Sequence, residues 1–248
     1  MGPNAMRLVF LTLMLAAIAG PVLSEPQFRS GSARATLVEL YTSEGCSSCP
    51  PADQWYSTLL DHPRLWQSVV PVAFHVDYWD YLGWPDRFSD SAYSDRQRRY
   101  RQQGSASGVY TPGVFAAGQE WRRWRNAALK VPATGEPAGV LDLGVTGASF
   151  TAGFEPALAL NAPLQLHIAV LGFGLETPVR SGENRGELLR HDFVVLGHAV
   201  YEGQGLQWAG ALPEAALSGE AQRLAIAAWV SPLDRQEPLQ ALGGWLPR

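Results

Sequence analysis

The chain has 248 residues, 19 basic against 23 acidic, a net charge of −4 at neutral pH and 46% hydrophobic residues. That length allows one large or two small domains. The acidic balance disfavours nonspecific nucleic-acid binding, and a total of two cysteines excludes a disulfide scaffold.

In chain order, Arg7 precedes an apolar run over 8–19, then Gly20-Pro21 and a Val22-Leu23-Ser24 stretch. This pattern predicts a secretory signal peptide over 1–24, cut after Ser24. The run falls short of the roughly 20 residues of a comfortable membrane span. The mature chain is therefore expected to be secreted or periplasmic, with no transmembrane span, in a compartment where a disulfide persists. A strand is predicted over 35–42, followed by Cys46-Ser47-Ser48-Cys49 and a helix over 52–60. The apolar run 68–76 predicts a strand buried on both faces, with Pro71 marking its start or an edge. Residues 77–85 read as an aromatic loop with Tyr78, Trp79, Tyr81 and Trp84. Residues 89–103 read as an exposed helix that ends at Gly104. The arginine groups 96, 98, 99, 101 and 122, 123, 125 read as solvated faces. Thr111-Pro112 leads into a short strand at 113–116. The Pro/Gly-rich stretch 131–138 is read as a linker, dividing a domain over 25–130 from one over 139–248. Beyond it, strands are predicted at 139–145, 148–154, 164–173, 193–201, 222–230 and 239–245, an antiparallel sheet or sandwich.

The two thiols sit at a spacing that can close and reopen a small ring, a candidate two-electron switch. The chain resembles an uncharacterised family of secreted bacterial thioredoxin-like proteins. The resemblance rests on 39–53 around the cysteines, on 74–84 (Phe74-His75-Val76-Asp77-Tyr78-Trp79-Asp80-Tyr81-Leu82-Gly83-Trp84) and on Tyr110-Thr111-Pro112. It continues more weakly through 182–189 with His191-Asp192. It implies an α/β thioredoxin-like domain followed by a β-rich region. It also implies that Cys46 attacks and Cys49 resolves. Pro112 would be a cis-proline opposing the cysteines, and the Thr111 backbone would pair with a bound peptide. The acid that thioredoxins bury on the first strand transfers to Glu39, one residue further from the cysteines than in the family.

A thiol at a helix N-terminus meets unpaired N–H groups and the positive end of the dipole, and Ser47 and Ser48 can donate to a thiolate. Pro50-Pro51 depart from the thioredoxin pattern. A residue before proline is pushed from helical geometry, which predicts a helix start near Pro51. Glu44 reads as a surface loop residue and His75 as a hydrogen-bonded core residue, with Asp77 two positions on. His167, His191 and His198 read as structural. Tyr78, Trp79 and Trp84 are candidates to line a groove for an apolar polypeptide, or else a cover for the sheet edge. No phosphate loop, hydrolase elbow or paired-carboxylate signature is present, so no cofactor and no metal is assigned. The expected function is thiol–disulfide exchange or redox sensing, with polypeptide thiols or disulfides as partners. The alternatives are a binding module with a structural disulfide, and a copper-handling protein.

Overall fold

The computed structural model describes residues 27–126, 130–160, 162–203 and 205–247. The segment read as a signal peptide lies outside them. Among the described residues, fourteen strands face two α-helices of eight and twelve residues. Among these described residues, no helix is long and apolar enough to cross a membrane.

The expected class, an α/β thioredoxin-like domain followed by a β-rich region, is not what forms. Strands from before and after the 131–138 stretch share one eight-stranded sheet. Its members from the first half are β2 (Thr36–Thr42), β3 (Val69–His75), β4 (Gly113–Ala116) and β5 (Gln119–Glu120). From the second half come β8 (Leu164–Phe173), β11 (Val194–Glu202), β13 (Arg223–Pro232) and β14 (Gln240–Trp245). The order is β14-β13-β8-β11-β3-β2-β4-β5. The junction is narrow: β11 runs antiparallel along β8 and meets β3 in parallel at Val194 and Ala73.

That junction explains Pro71, expected at a strand start or an edge but found inside β3 opposite Val38. The Ala73 N–H points to the Phe193 carbonyl on the β11 side. Pro71, two residues earlier, faces the same side, where β11 has no paired residue, so its missing N–H breaks no ladder bond.

A second sheet holds β1 (Gln27–Arg29), β6 (Gly139–Thr146), β7 (Ser149–Pro156) and β12 (Gln207–Ala211), in the order β1-β6-β7-β12. It packs on one face of β8 and β13. Leu166, Ile168, Ile226, Ala228 and Val230 point to that side and meet Leu141, Leu143, Phe150 and Phe154. Ala169, Leu171, Phe173, Ala225, Ala227 and Trp229 point to the other side, into the core shared with β2, β3 and the helices. A strand buried on both faces needs no polar alternation, and β8 is buried along its whole length. The strands β9 (Leu175–Pro178) and β10 (Leu188–His191) form a separate ribbon. The polar span 181–190 thus contributes part of a strand, Leu188–His191.

Helix α1 (Pro50–Ser57) starts at Pro50, one residue before the expected position, because Cys49 adopts helical dihedrals (φ −81, ψ −38) despite preceding proline. Helix α2 (Ser91–Gln102) is capped by the Asp90 carboxylate, which accepts from the Ala92 N–H. It is not a wholly solvated arginine face. Arg96 is 1% exposed and donates from Nε to Glu39 at 2.7 Å and from Nη1 to Gln236 at 2.5 Å. Tyr100 also donates to Glu39, and Tyr41 donates to it at 3.2 Å.

Breaking a buried pair leaves an uncompensated charge, which costs about 3–5 kcal/mol, whereas removing both charges costs far less. Arg96→Met should therefore destabilise by about that amount, and the double variant Glu39→Leu, Arg96→Met should recover most of the loss. Urea unfolding of the three proteins checks this.

Candidate functional site

The loop 43–49 leaves the end of β2 and turns twice. The Cys46 N–H donates to the Ser43 carbonyl at 3.2 Å and the Cys49 N–H to the Cys46 carbonyl at 3.1 Å. Cys46 and Cys49 are joined as a disulfide, with Cα atoms 5.5 Å apart. Pro50 and Pro51 carry no N–H, and the Ala52 and Asp53 N–H groups both donate to the Cys49 carbonyl, at 2.8 and 3.1 Å. The first turn of α1 therefore has no free N–H to offer the sulfurs. Beside Cys46 Sγ lies the Ser48 hydroxyl, 3.3 Å away.

Both cysteines are buried, at 1% and 0% exposure, and Ser47 and Ser48 alone of the four are exposed. The loop between β9 and β10 is hydrogen-bonded to this turn. Asn184 donates from Nδ2 to the carbonyls of Glu44 at 2.8 Å and Cys46 at 3.1 Å. Glu183 accepts from the Ser47 N–H at 3.0 Å, and the Ser47 hydroxyl, with this N–H, holds its carboxyl below the usual range. Ser181 donates to the Gly83 carbonyl at 2.5 Å. The weaker, distant stretch of family likeness, 182–192, is thus the segment that straps the cysteine loop.

Beneath the strap lies a buried set of ionisable groups. Glu44, expected on the surface, is 0% exposed. It accepts from Trp84 Nε1 at 2.9 Å and stands 3.4 Å from His191 Nε2. His75 is a hydrogen-bonded core residue whose partner is Asp86, at 2.6 Å. Asp77 instead accepts from Ser94. The His75 and His191 rings are 5.0 Å apart. Asp53 accepts from the Thr42 hydroxyl at 3.2 Å. Burial pushes its carboxyl upward, and the nearby His191 and His75 offset this only in part. Asp53 and His191 line a polar cavity of about 530 Å³ together with Ser47, Asn184 and Arg190.

Glu39 is not among these groups, since Arg96, Tyr41 and Tyr100 engage its carboxylate. The Thr111–Pro112 bond is cis. Thr111 accepts from Trp79 Nε1 at 2.7 Å, and Trp79 Cβ is 3.1 Å from where a Cβ on Gly45 would lie. Trp79 therefore bridges the cysteine loop and the cis-proline segment. The loop aromatics are anchored rather than free: Tyr78 donates to Gln97 at 3.1 Å and Trp84 is tied to Glu44, while Tyr81 is 82% exposed. His167 and His198 lie in the interior, their rings stacked at 5.4 Å. Among the described residues, no three His, Cys, Asp or Glu side chains are arranged to hold a metal ion. Sequence reasoning missed Asp86, Glu183 and Asn184, although the last two lie within the stretch of family likeness.

Fold and site together define a two-sheet β protein that carries one strapped disulfide at a strand–helix junction. The chain belongs to the family DUF1223, described as a protein of unknown function, whose model matches residues 37–230. No curated protein matches it. A crystal structure of a protein from Agrobacterium tumefaciens is similar at 22% identity and a TM-score of 0.57, over 87% of this chain and 95% of that one. The structure of HBP35 of Porphyromonas gingivalis is similar at 14% identity and a TM-score of 0.58, over 88% of this chain and 76% of that one. These likenesses concern the fold alone.

Two outcomes are expected. Burial disfavours the His75 imidazolium, but Asp86 outweighs it and raises His75 above its ordinary range. Burial likewise disfavours the Asp86 carboxylate, but His75 and the Glu44 and Phe88 N–H groups hold it below its range. The His75 contribution to stability is complete below pH ~6.5 and is lost as pH rises through its raised value. The Asp86 contribution is present above pH ~4 and is lost on acidification through its lowered value. The stability difference between wild type and Asp86→Asn should therefore peak between about pH 4 and 6.5 and shrink toward pH 9, in denaturant melts across pH. The difference is the proper readout, because His167 and His198, pushed down by burial and then by Arg96, act in the opposite sense. Second, Asn184→Ala should speed reduction of the disulfide by dithiothreitol several-fold with little change in helix content. An unchanged rate would mean that Asn184 does not limit access.

Proposed function

We propose that the protein exchanges disulfides with polypeptide partners, or senses redox state, through Cys46 and Cys49. The observation that carries this reading is the position of the bond. It joins residues three apart at the β2–α1 junction, where a cross-link constrains little chain. In the chain-entropy model such a loop is worth about 2 kcal/mol, against about 3 for a fifteen-residue loop. Further support is the sequence resemblance of 39–53, 74–84 and Tyr110-Thr111-Pro112 to thioredoxin-like proteins, although the sheets do not take the thioredoxin-like form. A persistent disulfide also fits an oxidising compartment, in keeping with the signal peptide read over 1–24.

In the oxidising direction, a partner thiolate attacks Cys46 Sγ and forms a mixed disulfide. The Cys46–Cys49 bond breaks, and Cys49 leaves as a thiolate that takes up a proton. The partner's second thiol, after losing its proton, attacks the partner sulfur of the mixed disulfide and releases Cys46. Two electrons pass to the cysteine pair and the partner gains a disulfide. The reverse sequence reduces a partner. Attack requires the cysteine loop to open, since Cys46 and Cys49 are both buried.

The same burial, 1% and 0%, favours a second reading, a binding module whose disulfide is structural. Thiol alkylation across a glutathione redox series separates the two. A potential above about −250 mV supports exchange, and one below about −300 mV supports the structural bridge. In the exchange reading Cys46→Ser abolishes turnover, and Cys49→Ser traps mixed disulfides on Cys46 in a periplasmic extract. Unchanged turnover in Cys46→Ser overturns it.

A further inference from the structure

Two further hollows lie near the cysteine loop, and one of them reaches its Ser48. One, of about 570 Å³, is lined by Ser48, Pro51, Trp55, Trp124 and Arg125. The other, of about 360 Å³, is lined by Tyr110, Pro112, Arg122, Trp124 and Arg125. They share Trp124 and Arg125 and form one groove from the exposed Ser48 to the cis-proline.

The floor of this groove is aromatic. The Trp55 and Trp124 rings are 5.2 Å apart and tilted by 36°. Trp124 belongs to the 3-10 turn Arg122–Arg125, whose three arginines are all exposed. Arg122 pairs with Glu120 at 2.9 Å. Among the described residues Arg123 and Arg125 make no ion pair, and the Arg125 guanidinium lies 5.1 Å over the Trp124 ring. The rim is thus locally basic on a chain of net charge −4.

We propose that this groove docks an acidic polypeptide segment bearing a phenylalanine-like or large aliphatic side chain. The side chain enters the Trp55–Trp124 hollow, and neighbouring carboxylates face Arg123 and Arg125. Aromatic and arginine anchors of this kind concentrate binding energy at interfaces, and the charges select the partner. A long polyanion such as single-stranded nucleic acid would share the arginines but would meet the net negative field of the whole molecule. The inference rests on the exchange reading only for the step after docking, in which a segment lying past Ser48 brings its own cysteines next to the pair.

The test uses the full chain with Cys46→Ser and Cys49→Ser, so that binding is read without chemistry. Tryptophan emission is monitored against a cysteine-free, blocked octapeptide of glutamates around phenylalanine and leucine. The control is the same peptide with lysines in place of the glutamates. The glutamate peptide should bind about ten-fold more tightly, a difference of about 1.4 kcal/mol. Arg125→Glu, an exposed change that spares the core, should reverse the preference, and about 0.5 M salt should narrow it. Equal binding of both peptides, no saturable change with either, or tighter binding of an oligothymidylate overturns the proposal. Exchange by wild type with bis(2-hydroxyethyl) disulfide is measured in parallel. Absent exchange with intact peptide discrimination removes the redox reading and keeps the groove. Intact exchange without discrimination does the reverse.

Discussion

A guanidinium at the centre of a protein must be answered by a carboxylate, and the Arg96–Glu39 pair is the constraint on which the arrangement turns. The pair joins α2 to β2, and through Gln236 it joins both to the segment that leads into β14. Arg96 also lies 5.2 Å over the Trp229 ring of β13 and 5.6 Å over Phe74 of β3. One cation is therefore enclosed by residues 39 to 236, from both sides of the 131–138 stretch. Taking the charge out of water costs several kcal/mol, repaid where the carboxylate, the amide and the ring faces are all in place. Gln240 acts in the same way without charge. It is fully buried, and its amide bonds to the backbone of Gly31, Ala33, Ala35 and Gly139. Such contacts specify one arrangement of the two halves, because any other leaves a buried polar group unmet.

That arrangement decides what the cysteine pair can be. Strand β2 is buried along its length between β3 and β4, so the loop that leaves its end emerges at a fixed place. The β9–β10 ribbon belongs to the second half of the chain and returns across this loop. The buried disulfide thus belongs to a loop flanked by two unlike surfaces. On one side, polar and strapped, are Glu183, Asn184, Asp53 and His191. On the other, open and aromatic, are Trp55, Trp124 and Arg125. Under the exchange and docking proposed above, a loop bonded on one side and flanked by a groove on the other would make the exchange gated.

The local features were legible in the sequence because they depend on near neighbours. The cysteine spacing, the strand before it, the helix after it and the turn before β4 follow from periodicity and from proline and glycine placement. Strand β8 was readable end to end, since a long, mostly apolar run bounded by turns leaves little choice. The role of Glu39 was not legible. The resemblance to thioredoxins transferred their buried strand acid to it, but its partner is an arginine 57 residues on, among several arginines of similar appearance. Glu44 looked like a loop residue because nothing nearby in sequence announces the Trp84 indole or His191 that enclose it. The two-domain class was wrong for the same reason. A proline- and glycine-rich stretch breaks secondary structure, and that says nothing about whether strands on either side pair.

By itself the sequence determined the disulfide-capable pair, the elements flanking it and the burial of β3 on both faces; it did not determine that of β8, where partial alternation over 165–170 reads as a sheet with one wet face but the whole strand is buried. These depend on residue type, spacing and backbone preference within a few positions. The tertiary structure alone decided that β11 crosses to pair with β3, that Arg96 is an interior charge, and that Glu183 and Asn184 bond to the backbone of the cysteine loop. Each depends on groups more than fifty residues apart meeting at hydrogen-bond distance, and local propensity carries no record of such meetings.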